Sequence, residues 1–289
     1  MSDSDALLKT GQVAEVLGVS VSTAKRWIDS GQIQGTRTVG KHRLIPMSSV
    51  VRFAQRGTFP LDRLAPPAPV AAADESPDAL CRRLYSDLKA GDAPRATSLI
   101  TSAYASMGAA MLGDALIRPV MEQAGHAWMV GDWEIYHEHR ASRIVSTAIR
   151  TLIAGLPTGE SGRPIAAGSA PEGDIYELPG LLAELTLREG GWDVHNLGVD
   201  LPLRSLAAAV RDLKPRLAFL TISHLPRPDH FVQEYAYFYE AAVRADTAII
   251  LGGRACDPAI RPRLIYASCG ERMTHLAEFA RRLHGVPGC

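Results

Sequence analysis

Gly125–Ser142 reads GHAWMVGDWEIYHEHRAS and gathers two Trp, three His and two Glu into eighteen residues of an Ala- and Leu-rich middle region. Apolar residues recur at helical spacing on both sides, and Gly131-Asp132 interrupts them. The stretch therefore spells the end of one helix, a turn, and the start of the next. Trp128 falls near the end of the first helix, and Glu138 and His139 in the first turns of the second. An aromatic plate and a carboxylate–imidazole pair thus meet at one helix corner. A Trp suits the face of a flat or apolar ligand. A Glu accepts hydrogen bonds from ribose-type hydroxyls, and a His donates to them or meets a metal. The plainer use of Trp128 is core packing. His126 and His137 read as surface or packing residues. A zinc site from His126, His137 and His139 is disfavoured, because residues two apart diverge by about 200° around a helix.

Toward the N-terminus the helical pattern continues. Ala79–Ala90, Ala93–Met107, Gly108–Val130 (with Pro119 as an expected kink) and Glu134–Leu156 are four segments with short connections, which predicts a four-helix bundle over residues 78–158. Residues 59–77, FPLDRLAPPAPVAAADESP, hold five prolines and no period. They read as a semi-rigid linker.

Residues 1–58 are a separate head. Thr10 is an expected N-cap for a helix over Gly11–Leu17, ended by Gly18, and Ser20 for one over Val21–Ser30, stopped by Gly31. Two short helices across a tight turn make a helix-turn-helix. Ala24, Trp27 and Ile28 face inward in the second helix, leaving Ser22, Thr23, Lys25, Arg26 and Asp29 outside. Ser22, Thr23, Lys25 and Arg26 have the hydroxyls and cations that meet phosphates and base edges in a major groove. Ile33–Pro46 alternates as strand, turn at Gly40-Lys41, strand, a hairpin with Arg37, Lys41, His42 and Arg43 at its tip and edges. A third helix, Met47–Gln55, closes the unit. The head holds eight Lys/Arg against four Asp/Glu in a chain of zero net charge. A basic head on an acidic body suits an anionic polymer as partner for the head only, and the helix-turn-helix makes double-stranded DNA the expected one.

Beyond the bundle, residues 162–286 alternate strand and helix: Pro164–Gly168, Leu181–Glu189; Asp193–Leu197, Leu203–Leu213; Leu217–Ile222, Asp229–Arg244; Thr247–Leu251; Leu264–Ala267, Met273–His284. This predicts a doubly wound parallel α/β sheet with its ligand at the carboxyl ends of the strands. The fold class is therefore multidomain: winged helix-turn-helix, four-helix bundle, and an α/β doubly wound, Rossmann-like domain. The four cysteines have no CxxC spacing, the start lacks a signal-peptide pattern, and no apolar run reaches membrane-spanning length. A cytoplasmic protein with no membrane partner is expected.

Three stretches carry resemblances. TGQVAEVLGVSVSTAKRWIDSGQI and GTRTVGKHRLIP resemble the winged helix-turn-helix of the MerR and excisionase families, which implies DNA binding. Trp128, nine residues, then Glu138-His139 resembles the bundle motif of the B12-dependent, light-responsive MerR-type regulators, the CarH and LitR group. That resemblance implies a bundle lying over adenosylcobalamin, with Trp128, Glu138 and His139 covering its 5′-deoxyadenosyl group. It also implies a homo-oligomer (dimer or tetramer) held in the dark and a repressor released from DNA by light. Ser223-His224-Leu225 and Gly252-Gly253 resemble loops of the cobalamin-binding domain of methionine synthase and the mutases. The family's Asp-x-His-x-x-Gly after the first strand reads here Asp174-Ile175-Tyr176-Glu177-Leu178-Pro179. The acid is kept, and Tyr176 and Pro179 stand where the His and Gly would be. The resemblance makes that His the lower cobalt ligand, so the metal ligand of this chain is open. Cobalamin with its own base, water, Tyr176, His195 or His224 below the cobalt is one reading. A tetrapyrrole such as biliverdin or haem is a second, and a ligand-free regulator a third. The rival classes are a B12-dependent carrier subunit, which needs no basic head, and an antirepressor, which needs no DNA.

Overall fold

The computed structural model describes residues 7–17, 19–37, 43–46, 49–50, 53, 76–157 and 162–284. The chain divides into two compact units, Met1–Ala71 and Ala72–Cys289.

In the first unit, strand β1 (Leu7–Leu8) precedes helices α1 (Thr10–Val16) and α2 (Val21–Asp29) and strands β2 (Thr36–Arg37) and β3 (Arg43–Pro46). Ser20 caps α2 as its residue type demands: its Oγ accepts from the Thr23 N–H at 3.2 Å. Thr10 is instead the first helical residue, and the Lys9 N–H donates to Gln12 Oε1 at 2.9 Å. The hairpin pairs antiparallel, Arg37 opposite Arg43, and Leu8 of β1 pairs with Ile45 on the far side of β3. β1 is too short for an alternation to reveal it. Ala24, Val13, Leu17, Ile33, Ile45 and Val50 are buried together, with Trp27 and Ile28 packed against them. The expected turn at Gly40-Lys41, the stop at Gly18, most of Met47–Gln55 and nearly all of the linker 59–77 lie outside the described residues.

The second unit begins with the bundle: α3 (Pro77–Ala90), α4 (Ala93–Met111), a π-helical run Leu112–Ile117, α5 (Arg118–Met129) and α6 (Ile135–Ala154). Gly91 ends α3 at φ +76°, and Asp92 accepts from the Arg95 N–H to start α4. The expected boundary after Met107 is a break inside α4, where Gly108 turns to φ +75°. Pro119 is not a mid-helix kink. It lies in the first turn of α5, and the irregularity precedes it, the Arg118 N–H reaching five residues back to Gly113.

The α/β domain runs β4 (Ile165–Ser169), α7 (Leu178–Glu189), β5 (Asp193–Asn196), α8 (Leu203–Leu213), β6 (Leu217–Thr221), α9 (Pro228–Arg244), β7 (Ala248–Gly252), β8 (Ser268–Gly270) and α10 (Met273–His284). Its five strands are parallel in the order β5-β4-β6-β7-β8. One expected strand is corrected: Leu264–Ala267 precedes β8 rather than forming it. Only Leu264 and part of Tyr266 are buried there, and Ile265 is exposed. Leu264 packs into the core beside α9, and the Ile265 carbonyl accepts from Tyr235 Oη at 2.7 Å.

Bundle and α/β domain share one core. Leu181, Leu182 and Leu185 of α7 belong to the same cluster as Leu84, Leu116 and Val145 of the bundle. Polar ties follow from the helix irregularities. The break at Gly108 frees the Ala109 N–H, and Glu189 of α7 accepts it at 3.0 and 3.2 Å. Asp114, in the π-helical run, accepts from the Met273 and Thr274 N–H groups at 2.7 and 3.0 Å and so caps α10. Burial, helped by the Glu189 charge, pushes the Tyr104 phenol up to about 12.

Candidate ligand site and DNA-facing helix

The order β5-β4-β6 reverses the direction of winding between β4 and β6, and ligands of such sheets bind at the carboxyl ends on that switch point. Asp174, fully buried in the loop after β4, binds the two loops together there. Its Oδ2 accepts from the Ser223 and His224 N–H groups at 2.5 and 3.0 Å, and its Oδ1 from the Tyr176 N–H at 3.1 Å. Four of the expected residues are thereby drawn into one cluster by a carboxylate. Ser223 is buried, His224 exposed, and Leu225 half-buried against the core under α9.

Tyr176 is 45% exposed, and the Arg254 guanidinium lies over its ring at 5.0 Å. Arg254 Nε also donates to the Ser223 carbonyl at 2.9 Å. Arg254 thus bridges the loops after β4, β6 and β7. It was not among the residues expected from sequence, since it stands 78 positions from Tyr176. Gly253 adopts φ +107°, and a Cβ there would stand 2.3 Å from the Ile222 carbonyl oxygen. Its bareness is required by the neighbouring strand end before any ligand is considered.

Two further signals escaped the sequence. The hydroxyls of Ser169 and Thr221, terminal residues of β4 and β6, are buried without a hydrogen-bond partner. Buried hydroxyls are nearly always paired, so these two stand out at the carboxyl ends of β4 and β6, as Thr186 does within α7.

At the helix corner, Trp133 takes the core position, 2% exposed and packed on Tyr85 with ring centroids 4.9 Å apart. Trp128, in the last turn of α5, is left 47% exposed. His137 is a capping residue, its Nδ1 accepting from the Glu134 N–H at 3.1 Å. Glu138 lies 3.7 Å from His139 and accepts from Ser142 Oγ at 2.8 Å. Glu138, Ser142 and Ser146 follow one another at four-residue steps on one stripe of α6. Ser146 reaches Glu177, the residue after Tyr176, and Arg150 bonds the same carboxylate at 2.8 Å. The stripe carrying Glu138 therefore descends to the loop after β4, with Glu138 about 12 Å along the axis from Ser146. Burial pushes the Glu177 carboxyl up, but hydrogen bonds from Ser146 and Arg150, with the charges of Arg150 and Arg143, hold it below its ordinary value.

His195 is drawn to Asp193 at 3.9 Å in β5, within its strand rather than in a loop at the edge. No group of three metal-ligating side chains occurs among the described residues. No helix among them is long and apolar enough to cross a membrane.

In the head, Ser22, Lys25 and Arg26 on α2 are exposed and Thr23 is half-buried. The Ser22 and Thr23 hydroxyls also share the Ser20 hydroxyl at 2.8 and 2.9 Å. Arg43 pairs with Asp29, tying β3 to α2. Lys41, His42 and the side chain of Arg37 lie outside the described residues.

Comparison with known proteins matches each part. Residues 7–58 match a helix-turn-helix domain family, and residues 80–153, the bundle, match a B12 binding domain family. The chain is 22% identical to the HTH-type transcriptional repressor CarA of Myxococcus xanthus, over 85% of this chain and 86% of that protein. It is 28% identical to the HTH-type transcriptional repressor CarH of the same organism, over 44% of this chain and 42% of that one. The monomethylamine corrinoid protein of Methanosarcina barkeri superposes with a TM-score of 0.60 at 15% identity, covering 72% of this chain and all of that one, and so shares the fold. A match to a helix-turn-helix domain family, a match to a B12 binding domain family and the fold of a corrinoid protein thus meet in one chain that is similar along most of its length to a helix-turn-helix transcriptional repressor, which supports a ligand-gated DNA-binding regulator.

Proposed function

We propose that this regulator is a repressor holding a corrinoid between the α6 stripe and the carboxyl edge of the sheet, and that the corrinoid sets how the heads meet DNA. The carrying observation is Trp128, a large aromatic left 47% exposed at a corner whose core place is filled by Trp133. Adenosylcobalamin is the form proposed, with Trp128, Glu138 and His139 over its upper group and light as the signal that removes that group.

The residues at the edge fit the body of a corrinoid. Unpartnered hydroxyls at Ser169 and Thr221 stand at the carboxyl ends of two neighbouring strands, and Asp174 holds the surrounding loops in place. They do not fit an imidazole ligand from the first loop. Tyr176 has a phenol, which must lose a proton before it ligates a metal, and a guanidinium covers its ring. The lower position is accordingly assigned to the corrinoid's own base or water. A bilin, which needs no axial ligand, is the second reading that the same observation favours.

One head presents a single short helix to a groove, so tight binding takes several heads on their tethers, and a homo-oligomer is part of the proposal. A methyl-carrier role would leave the basic head without a task. The test is a spectrum after dark incubation with adenosylcobalamin and desalting. Retained cobalamin bands that change on illumination are expected. A preparation that retains biliverdin but no cobalamin overturns the corrinoid assignment.

A further inference from the structure

Cys256 and Cys269 stand 3.8 Å apart, sulfur to sulfur, on the face of the sheet that packs against α8 and α9. Cys256 lies in the loop after β7, 1% exposed. Cys269 lies in β8 opposite Leu251 and is half-buried. We propose that these two thiols form an oxidisable pair that closes to a disulfide in place, an independent modification site on this chain.

Two features support closure, and a third sets its order. The separation is thiol contact distance, so each sulfur needs to move only a fraction of it. β8 is a three-residue strand at the sheet edge, paired only with β7, and an edge strand yields more readily than a central one. The pair is also asymmetric. Burial, with Cys269 beside it, pushes the Cys256 thiol up to about 12, so Cys256 is the slower sulfur and reacts second, at the Cys269 already oxidised beside it. Cys269 is the more accessible sulfur and is the one that meets the oxidant.

With hydrogen peroxide as oxidant, the Cys269 thiolate attacks one oxygen and the O–O bond breaks, giving a sulfenic acid and hydroxide, which takes up the thiol's proton as water. The Cys256 sulfur then attacks the Cys269 sulfur. The S–S bond forms, the S–O bond breaks, and the departing hydroxide takes the Cys256 proton as a second water. Two thiols are oxidised by two electrons, and peroxide is reduced to two waters. The bond ties the loop 253–256 to β8. That loop is held to the end of β6 by the Ala255 N–H on the Ile222 carbonyl and carries Arg254.

The test is thiol counting and peptide mapping of the full chain after mild peroxide treatment under native conditions. The sequence has four cysteines, and the expected result is loss of two thiols, with Cys256 and Cys269 in one linked peptide lighter by two hydrogens. Dithiothreitol restores both. Cys256→Ser and Cys269→Ser each abolish the linked peptide, and Cys81→Ser leaves it. Sulfinic acid at Cys269 beside an intact Cys256 overturns the proposal. So does a full thiol count under conditions that oxidise glutathione, or a bond that joins two chains instead. None of these outcomes depends on whether a corrinoid binds.

Discussion

Trp128 and Trp133, five residues apart, do opposite work. Trp133→Ala removes a buried ring and is expected to cost about 3–5 kcal/mol, read as a lower midpoint in urea. Trp128→Ala removes an exposed one and is expected to leave stability within about 0.5 kcal/mol, while retention of adenosylcobalamin falls tenfold or more. Equal loss of stability in both would return Trp128 to the core. Asp174→Asn turns an amide toward N–H groups that now find a carboxylate. The expected cost is about 2 kcal/mol, with faster hydrogen exchange at Ser223 and His224. At the lower position, nitrogen-15 labelling of histidine is expected to leave the electron paramagnetic resonance spectrum of bound cob(II)alamin unchanged. In the double variant Tyr176→His, Arg254→Ala, labelling is expected to change it. A labelling effect in the unaltered protein would show that His224 or another histidine ligates the metal. Trp128, Asp174 and Tyr176 could be singled out from the sequence because each stands at a position of a short motif that the resemblance supplies. Arg254, Ser169 and Thr221 were not, because their importance comes from partners present or missing across the sheet.

Most elements were legible from periodicity and capping residues, since Ser20, Gly31, Gly91 and Gly131 punctuate the chain in ways that only a few backbones satisfy. What failed had tertiary causes. Leu264–Ala267 looks like a strand, yet only Leu264 is buried beside α9 while Ile265 and Ala267 stay exposed. The path around Gly108 and Pro119 depends on Glu189 and Asp114, residues that bind across to another helix or from one. Asp114→Ala is expected to cost about 1 kcal/mol through loss of the α10 cap. Glu177 adds a pH signature. Its folded pKa lies below the unfolded value near 4.3, so its contribution is present above that pH and is lost as pH falls through the lower, folded value. Urea unfolding of Glu177→Gln is therefore expected to differ from the unaltered chain at neutral pH and to converge with it once the pH has fallen below the lowered folded value. A difference that persists in acid would mean that packing, not charge, carries the contact.

For the whole molecule, the proposal makes association of bodies the variable that DNA would sense, since the sequence joins a basic head to the body through a proline-rich stretch. Lys25 and Arg26 are the exposed cations on α2. Arg26→Ala is expected to weaken DNA binding and reduce its salt dependence while corrinoid retention is unchanged. The central claim is that corrinoid and DNA binding are coupled. It is tested most directly by titrating double-stranded DNA, selected by this protein from a random pool, with one preparation in three states: without ligand, with adenosylcobalamin in darkness, and after illumination. The account predicts tightest binding in the dark loaded state, with a loss of about tenfold or more on illumination. Equal affinity in all three states, with cobalamin demonstrably bound, would contradict it.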